Sequence, residues 1–391
     1  MLCSVPNRAR QPRHWLVVTS AFLLAAAATV AATVHESAQT ARAKATASGG
    51  ASAKASKSSG TKLQFGLDYS DTLTWQSTSA LAASLDDAVH MDAQYIRVDL
   101  AWEDYQSTSA DFAPDFSRFD RIVAAANARG LKILATIDFP PVWARESSCQ
   151  GSAACPPAQD SQYAAFAAEA AARYAPQGVH DWEIWNEPNI PAWDPAPDPA
   201  AYAALLSSTT TAIHAVDSQA YVILGGLAAQ QPHPGIAYIS AADFITGVAK
   251  AGGLADVQAV AYHPYPGQSN AATSSTIEAI DSSPDNMVAA LSRAGYPTMP
   301  VWITETGTSV PEFLNPNPRP AQVKQQETLQ AETATSLVKT FAQTPNVAAM
   351  FWFDDEDQPS ARLFYGVRTA AGVVRPVLAA LQKAIVANRG S

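Results

Sequence analysis

Short runs of β-branched and aromatic residues recur along this 391-residue chain about every 30 to 50 residues, and amphipathic or alanine-rich stretches separate them. Such runs predict β-strands, and the chain contains eight of them: Leu63–Asp68, Tyr95–Asp99, Lys132–Ile137, Asp181–Trp185, Tyr221–Leu224, Val257–Tyr262, Val301–Thr304 and Val347–Phe353. The clearest predicted helices are Arg118–Arg129, Tyr163–Tyr174, Tyr202–Val216 and Gln322–Phe341. Eight alternations without an internal break predict an α/β fold, a single (β/α)₈ TIM barrel over residues 62–391.

A doubly wound open sheet is the alternative architecture, because it is built from the same βα units. The positions of the polar residues favour the barrel. They follow too many different strands to share the single crevice of an open sheet.

Two carboxylic acids stand where predicted strands end, on the face of a barrel that carries the active site. Strand four runs into Asn186-Glu187-Pro188, and proline cannot extend a central strand, so the chain turns out with Glu187 at the rim. Strand seven delivers Glu305 to a glycine turn in the same way. A pair of carboxyl groups on separate strands is what glycoside hydrolysis needs.

Other polar and aromatic residues accompany this pair at or near the strand ends. The candidates for substrate binding are Asn186, Arg97, His263, Tyr265, Trp352, Asp138 and Trp143. The acidic run at 354–357 is typical of a solvated loop and matches no ligand template, so we expect no metal and no cofactor.

The chain resembles the retaining glycoside hydrolases of clan A, which end strand four of a (β/α)₈ barrel in Asn-Glu and strand seven in glutamate. Asn186-Glu187-Pro188, Glu305 and His263-Pro264-Tyr265 match that pattern, and the resemblance covers residues 62–383. Families 39 and 5, which hold β-xylosidases and cellulases, are the most similar. The resemblance implies an O-glycosyl hydrolase that cleaves a β-linked polysaccharide or oligosaccharide by double displacement.

The resemblance also implies a role for each matching residue. Glu187 corresponds to the acid/base, which must hold a proton, and Glu305 corresponds to the nucleophile, which must stay ionised. Arg97 would keep Glu305 charged, and Tyr265 would hydrogen-bond to it. Asn186 corresponds to the asparagine that binds the sugar 2-hydroxyl group.

The other candidates, and the alternative interpretations of Arg97 and His263, complete the predicted site. Trp352 corresponds to an aromatic floor beneath the sugar, whereas Asp138 stands where several members of the clan have a histidine. Arg97 is alternatively a structural ion-pair partner of Asp99 or Glu103, and His263 a structural histidine. Trp143 is either a sugar-stacking platform or ordinary loop packing.

The first 61 residues differ from the rest of the chain. Three arginines precede an apolar run from Trp15 to Val34, and small residues then lead to an A-x-A site that ends at Ala43. This pattern predicts a secretory signal peptide over residues 1–43, although the long apolar run also fits an uncleaved membrane anchor. Residues 44–61 contain only Ala, Ser, Thr, Gly and Lys, which predicts a disordered linker.

An exported chain favours a disulfide between Cys149 and Cys155, which lie in the loop after strand three, over two free thiols. We therefore expect a secreted, extracellular protein, tethered to the cell surface if the N-terminal segment stays uncleaved. Contact with a membrane is expected only in that second case.

The charge of the chain limits its partners. The net charge is −10, and the region after residue 60 carries 18 basic and 34 acidic residues. Such an excess of negative charge argues against nucleic acid and anionic membrane surfaces, and it fits a neutral polysaccharide or oligosaccharide. We expect a monomer. A transglycosylase that uses the same glutamates, or a non-catalytic carbohydrate-binding barrel, is the alternative function.

Overall fold

The structure is a computed structural model that describes residues 62–229, 237–266, 287–310 and 320–389. The predicted signal peptide or anchor at 1–43 and the predicted linker at 44–61 lie outside these ranges. Among the described helices, none combines the length and apolar character needed to cross a membrane.

Eight parallel strands close into one barrel in the order of the sequence, with β8 paired to β1. Their bounds are β1 Gln64–Asp68, β2 Tyr95–Ala101, β3 Lys132–Asp138, β4 Asp181–Asn186, β5 Tyr221–Ala228, β6 Ala259–His263, β7 Val301–Thr306 and β8 Val347–Phe353. All eight predicted strands are present, and the prediction of a single barrel is confirmed.

Helices surround the barrel, and ten α-helices lie in the part of the chain that the structure describes. They are α1 Thr72–Trp75, α2 Thr78–His90, α3 Trp102–Tyr105, α4 Ser117–Asn127, α5 Asp160–Tyr174, α6 Pro199–Val216, α7 Ala241–Lys250, α8 Met287–Arg293, α9 Pro320–Phe341 and α10 Pro376–Arg389. The four predicted helices correspond to α4, α5, α6 and α9. Helix α6 begins directly after Asp198, whose side chain caps it by accepting hydrogen bonds from the N–H groups of Ala200 and Ala201.

Side chains alternate along each strand between the barrel interior and the layer of helices. The lower interior is apolar and holds Tyr95, Leu134, Ile223, Ala259, Ala261, Trp302, Ala349 and Phe351. The next inward positions toward the C-terminal ends of the strands are polar and fully buried, with Arg97 and Glu183 at the centre. This polar layer lies directly beneath the strand ends that carry the two predicted catalytic glutamates.

Two glycines in β5 shape the barrel next to those strand ends. The register of β5 against β6 shifts between Leu224 and Leu227, so the intervening Gly225 and Gly226 form an irregularity in the strand. A Cβ atom on Gly226 would lie 1.9 Å from Nε2 of His263, and one on Gly225 would lie 2.1 Å from a backbone oxygen of β4. Glycine is therefore required at both positions by the close approach of neighbouring groups.

The predicted disulfide between Cys149 and Cys155 is present in the loop after β3. The same loop is tied to the loop after β4, because the N–H of Asp194 donates to the carbonyl oxygen of Ala154 at 3.0 Å. The disulfide therefore orders a segment at the C-terminal face of the barrel.

Candidate active site

Glu187 is placed by an unusual backbone turn at the end of β4. Trp185 and Glu187 have φ angles of +71° and +50°, which side chains other than glycine rarely adopt. Hydrogen bonds to β5 hold the turn, since the Glu187 N–H donates to the Gly226 carbonyl oxygen and the Asn189 side chain exchanges hydrogen bonds with the Ala228 backbone. Strained backbone of this kind persists where the surroundings determine it strongly, as at functional sites.

Glu187 and Glu305 meet at the C-terminal face of the barrel, with His263 between them. One carboxylate oxygen of each glutamate and a ring nitrogen of His263 all lie within 4.8 Å of one another. The Nδ1 atom of His263 is 3.1 Å from Oε1 of Glu187 and 3.6 Å from Oε2 of Glu305. All three side chains are almost completely buried.

Both oxygens of Glu305 accept hydrogen bonds from other side chains. Oε1 accepts from Nη1 of Arg97 at 2.8 Å, and Oε2 accepts from the hydroxyl group of Tyr265 at 2.7 Å. Burial raises the pKa of Glu305, whereas Arg97 and Tyr265 oppose that shift by stabilising the charged form. These contacts suit a carboxylate that has to remain ionised.

Glu187 has a different environment. Burial raises its pKa, and the group that opposes the shift most is the imidazole of His263 rather than a permanent cation. Burial also lowers the pKa of His263, so the imidazole is neutral near pH 7. Two carboxyl groups in such different surroundings are set up for different protonation states.

Arg97 is the centre of the buried polar layer. Its guanidinium donates to Asp68 at 3.0 Å, to Glu183 at 3.0 and 3.2 Å, and to Glu305 at 2.8 Å. It also donates to Oδ1 of Asn186 at 2.8 Å. The structural ion pairs that we considered as an alternative therefore exist, but with Asp68 and Glu183, and Arg97 contacts the predicted nucleophile as well.

The contact with Arg97 also orients the amide group of Asn186. Because Oδ1 accepts from the guanidinium, the NH₂ end of the amide points away from Arg97. Asn186 is partly exposed, so this donor is available to a hydroxyl group of a ligand.

The structure does not support the predicted role of Trp352. Its side chain is 1% exposed and belongs to the core between the strands and the helices, and its indole N–H donates to the Tyr365 carbonyl oxygen. Alternation along β8 turns the next residue, Phe353, inward instead, where its ring packs against Tyr265 and Tyr365. The aromatic side chain of β8 near the site is thus Phe353.

Asp138 and Trp143 lie at the end of β3 and in the loop that follows it. Neither carboxylate oxygen of Asp138 has a hydrogen-bond partner within the described residues, although the side chain is fully buried. Burial, and then the nearby Asp99, raise the pKa of Asp138 well above its usual value. Trp143 is half-buried, and its indole N–H donates to the Gln106 carbonyl oxygen at 2.9 Å. Their roles in substrate binding remain predictions.

The sequence reasoning missed Glu183 and Thr304, which connect the site residues to one another. Glu183 contacts Arg97 and the Gly226 N–H, and Thr304 contacts both Glu183 and His263. A signal was present, because Glu183 is a charged residue inside the apolar run of strand four. A charge at a buried strand position requires partners and is itself evidence of a polar layer.

Glu187, His263 and Glu305 bring enough donor atoms together to be considered as a metal site. The guanidinium of Arg97 lies 2.8 Å from Glu305, however, and a second cation there would be repelled by it. The arrangement suits a proton-donating carboxyl group beside an ionised one better than it suits metal binding.

A family model for cellulase, glycosyl hydrolase family 5, matches residues 52–353 of the chain. A search of curated proteins gives no match. Among solved structures, a family 39 glycoside hydrolase from Bacteroides cellulosilyticus WH2 is 20% identical with a TM-score of 0.58, over 83% of this chain and 63% of that chain.

Two further structures resemble the chain. A monomeric beta-xylosidase from Caulobacter crescentus CB15 is 18% identical with a TM-score of 0.60, over 82% of this chain and 67% of that one. A GH5_18 protein from Streptomyces cattleya in complex with GlcNAc is also 18% identical with a TM-score of 0.60, over 84% and 80%. The chain thus spans less than two thirds of the length of the family 39 enzyme. Likeness at these identities shows the common barrel, and together with the family model it confirms the predicted resemblance to clan A.

Proposed function

The chain belongs to glycosyl hydrolase family 5, the cellulase family, and we propose that it is a retaining β-glycosidase that cleaves a β-linked polysaccharide or oligosaccharide. The observation that carries the proposal is the distance between the carboxyl groups. Oxygen atoms of Glu187 and Glu305 lie within 4.8 Å of each other. Retaining enzymes place their carboxyl groups about 5 to 5.5 Å apart, whereas inverting enzymes leave about 6.5 to 9.5 Å for a water molecule.

In the first step of the proposed mechanism, Glu305 attacks the anomeric carbon while Glu187 donates its proton to the glycosidic oxygen. The C–O bond to the leaving group breaks, and a glycosyl ester of Glu305 forms. In the second step, the Glu187 carboxylate takes a proton from water, and the oxygen of that water displaces Glu305. The amide NH₂ of Asn186 is the candidate donor to the sugar 2-hydroxyl group.

The contacts of the two glutamates support this division of roles. Arg97 and Tyr265 hold Glu305 in the charged form that attacks, and the neutral His263 leaves Glu187 able to keep a proton. A barrel that only binds carbohydrate has no need of two such differently tuned carboxyl groups.

We propose further that the protein acts outside the cell as a monomer. The pattern of residues 1–43 and the disulfide between Cys149 and Cys155 support export. One of the similar structures is described as a monomeric beta-xylosidase, which supports the proposed monomer.

The test is to find a substrate on a panel of aryl β-glycosides and β-linked polysaccharides and to follow the first product by proton NMR. The proposal predicts that the β-anomer forms first and then mutarotates. An α-anomer as the first product would show inversion and refute the retaining mechanism. Addition of an acceptor sugar separates hydrolysis from transglycosylation, since only a transglycosylase would pass most of the sugar to the acceptor.

A further inference from the structure

We infer that Thr304 and Glu183 are positioning residues that fix the tautomer of His263, so that the catalytic proton is stored on Glu187. The inference rests on the proposed function and deepens it. The directions of the hydrogen bonds then show which glutamate holds the proton, whatever the position of either residue in the sequence.

The chain of hydrogen bonds begins at Glu183, whose carboxylate is surrounded by donors. Oε2 accepts from Nε of Arg97 at 3.0 Å, and Oε1 accepts from Nη2 of Arg97 at 3.2 Å and from the N–H of Gly226 at 2.8 Å. The guanidinium and the backbone amide have no acceptor to offer. Glu183 is therefore an acceptor, and any further contact to Oε1 must be a donor.

Thr304 makes that further contact. Its Oγ1 lies 3.3 Å from Oε1 of Glu183, so its hydroxyl hydrogen points to the carboxylate. The same Oγ1 lies 2.9 Å from Nε2 of His263. A hydroxyl group has only one hydrogen, so Thr304 must accept from the ring, and Nε2 must carry a proton.

A neutral imidazole with its proton on Nε2 presents a lone pair at Nδ1. Two carboxylate oxygens face that lone pair, Oε1 of Glu187 at 3.1 Å and Oε2 of Glu305 at 3.6 Å. Oε2 of Glu305 already accepts from Tyr265, and the longer distance is outside hydrogen-bond range. The donor to Nδ1 is then a protonated Glu187.

The groups that surround the imidazole of His263 hold the ring in this orientation. Gly226 lies so close to Nε2 that a Cβ atom there would be 1.9 Å away, and the N–H of the same residue binds Glu183. The ionisable groups that act on the ring are Glu183 on β4, Glu187 directly after β4, Glu305 on β7 and Arg97 on β2. Burial of the ring and the positive charge of Arg97 both disfavour the imidazolium form.

The fixed tautomer has a consequence for each half of the reaction. Before the first step, the lone pair of Nδ1 holds the acid proton of Glu187 in place. After the proton has gone to the leaving group, the same lone pair faces a Glu187 carboxylate and repels it. This repulsion makes Glu187 a stronger base toward the incoming water, and the proton taken from that water restores the starting state.

The test compares Thr304→Val with Thr304→Ser in the pH profile of kcat/KM on an aryl β-glycoside. Valine has nearly the shape of threonine but cannot accept from Nε2, so the ring is free to place its proton on Nδ1 and stabilise the Glu187 carboxylate. We expect the alkaline limb, which reports loss of the Glu187 proton, to move down by about one pH unit. Serine keeps the hydroxyl group and should leave the limb at the wild-type position. A valine variant that is slower but has an unshifted limb would show a merely structural role and overturn the inference.

A second measurement reads the tautomer without any substrate. In ¹⁵N-histidine NMR of the full chain near pH 7, assigned with His263→Gln, we expect a protonated Nε2 and an unprotonated Nδ1. The opposite pattern would overturn the inference even if the enzyme is active. If no glycoside is cleaved by the wild-type protein, the proposed function fails, but the spectrum still decides whether Thr304 and Glu183 orient the ring.

Discussion

Replacement of Arg97 by glutamine should destabilise the protein strongly and in a pH-dependent way. The guanidinium is 1% exposed and forms ion pairs with three buried carboxyl groups, those of Asp68, Glu183 and Glu305. Glutamine can replace only a few of the five hydrogen bonds to side chains and supplies no charge. Removing one partner of a buried ion pair typically costs about 3 to 5 kcal/mol, because the remaining charge is left uncompensated.

The cost should depend on pH through the orphaned carboxyl groups. Burial already raises the pKa of Asp68 to about 7, and Arg97 lowers it from what it would otherwise be. Loss of Arg97 raises that folded-state pKa further. A carboxyl group with a raised folded-state pKa contributes stability that is present below its unfolded pKa and is lost as the pH rises toward the folded value. We therefore expect a deficit of about 3 to 5 kcal/mol at pH 8 that shrinks by about 1 kcal/mol or more at pH 5.

The assay is urea unfolding of the wild type and the variant at both pH values, with the slopes compared to detect a change in cooperativity. Arg129→Gln is a matched control, because Arg129 pairs with Asp86 at 2.8 Å at the surface, where Asp86 is 53% exposed. That variant should lose less than about 1 kcal/mol and show little pH dependence. If Arg97→Gln behaved like the control, the polar layer would not be the buried, charge-compensated network that we infer.

Three further predictions concern the site. Glu305→Ala should abolish turnover of every substrate, because no glycosyl ester can form; wild-type-like rates in a purified variant would contradict this. Glu187→Ala should keep activity only on activated aryl glycosides, and azide should restore turnover and give a β-glycosyl azide; an α-azide from Glu305→Ala would exchange the two roles. Asp138→Asn should raise the melting temperature at pH 8 but not at pH 4, because burial raises the folded-state pKa of Asp138 and this residue therefore destabilises the fold only above its unfolded pKa. Equal melting temperatures of the variant and the wild type at pH 8 would contradict this.

The barrel and its glutamate pair were predictable because both depend on local patterns. An apolar run that ends in Asn-Glu-Pro fixes a strand, its end and the carboxylic acid placed there. The alternation of side chains then predicts that Arg97 shares a face of β2 with other inward residues. Contacts of Arg97 with Glu305 and Asn186 bring together residues that the sequence had placed only at separate strand ends.

The inward-facing aromatic residue of β8 was predicted wrongly, because the alternation of side chains does not by itself show which residues of a strand face inward. Phe351, Trp352 and Phe353 are consecutive, so a shift of one residue exchanges the inward and outward side chains without changing the apolar pattern. The phase is set by pairing with β1, where Asp68 lies opposite Phe353. That register is a long-range property, and no local signal in the sequence reports it.

Glu183 and Thr304, which hold His263, were also missed because their contacts are long-range. The cost of burying such polar residues nevertheless shows why they belong to the site. Replacing a buried ionic network by apolar side chains of similar volume is often neutral or stabilising, so a barrel that served only as a scaffold would gain little from Arg97 and Glu183. The network becomes useful when two nearby carboxyl groups must differ in protonation. Arg97 stabilises charge on Glu305, and Glu183, through Thr304 and His263, favours a proton on Glu187. One buried layer thus supports opposite states in two glutamates whose oxygens lie within 4.8 Å, which an apolar layer could not do.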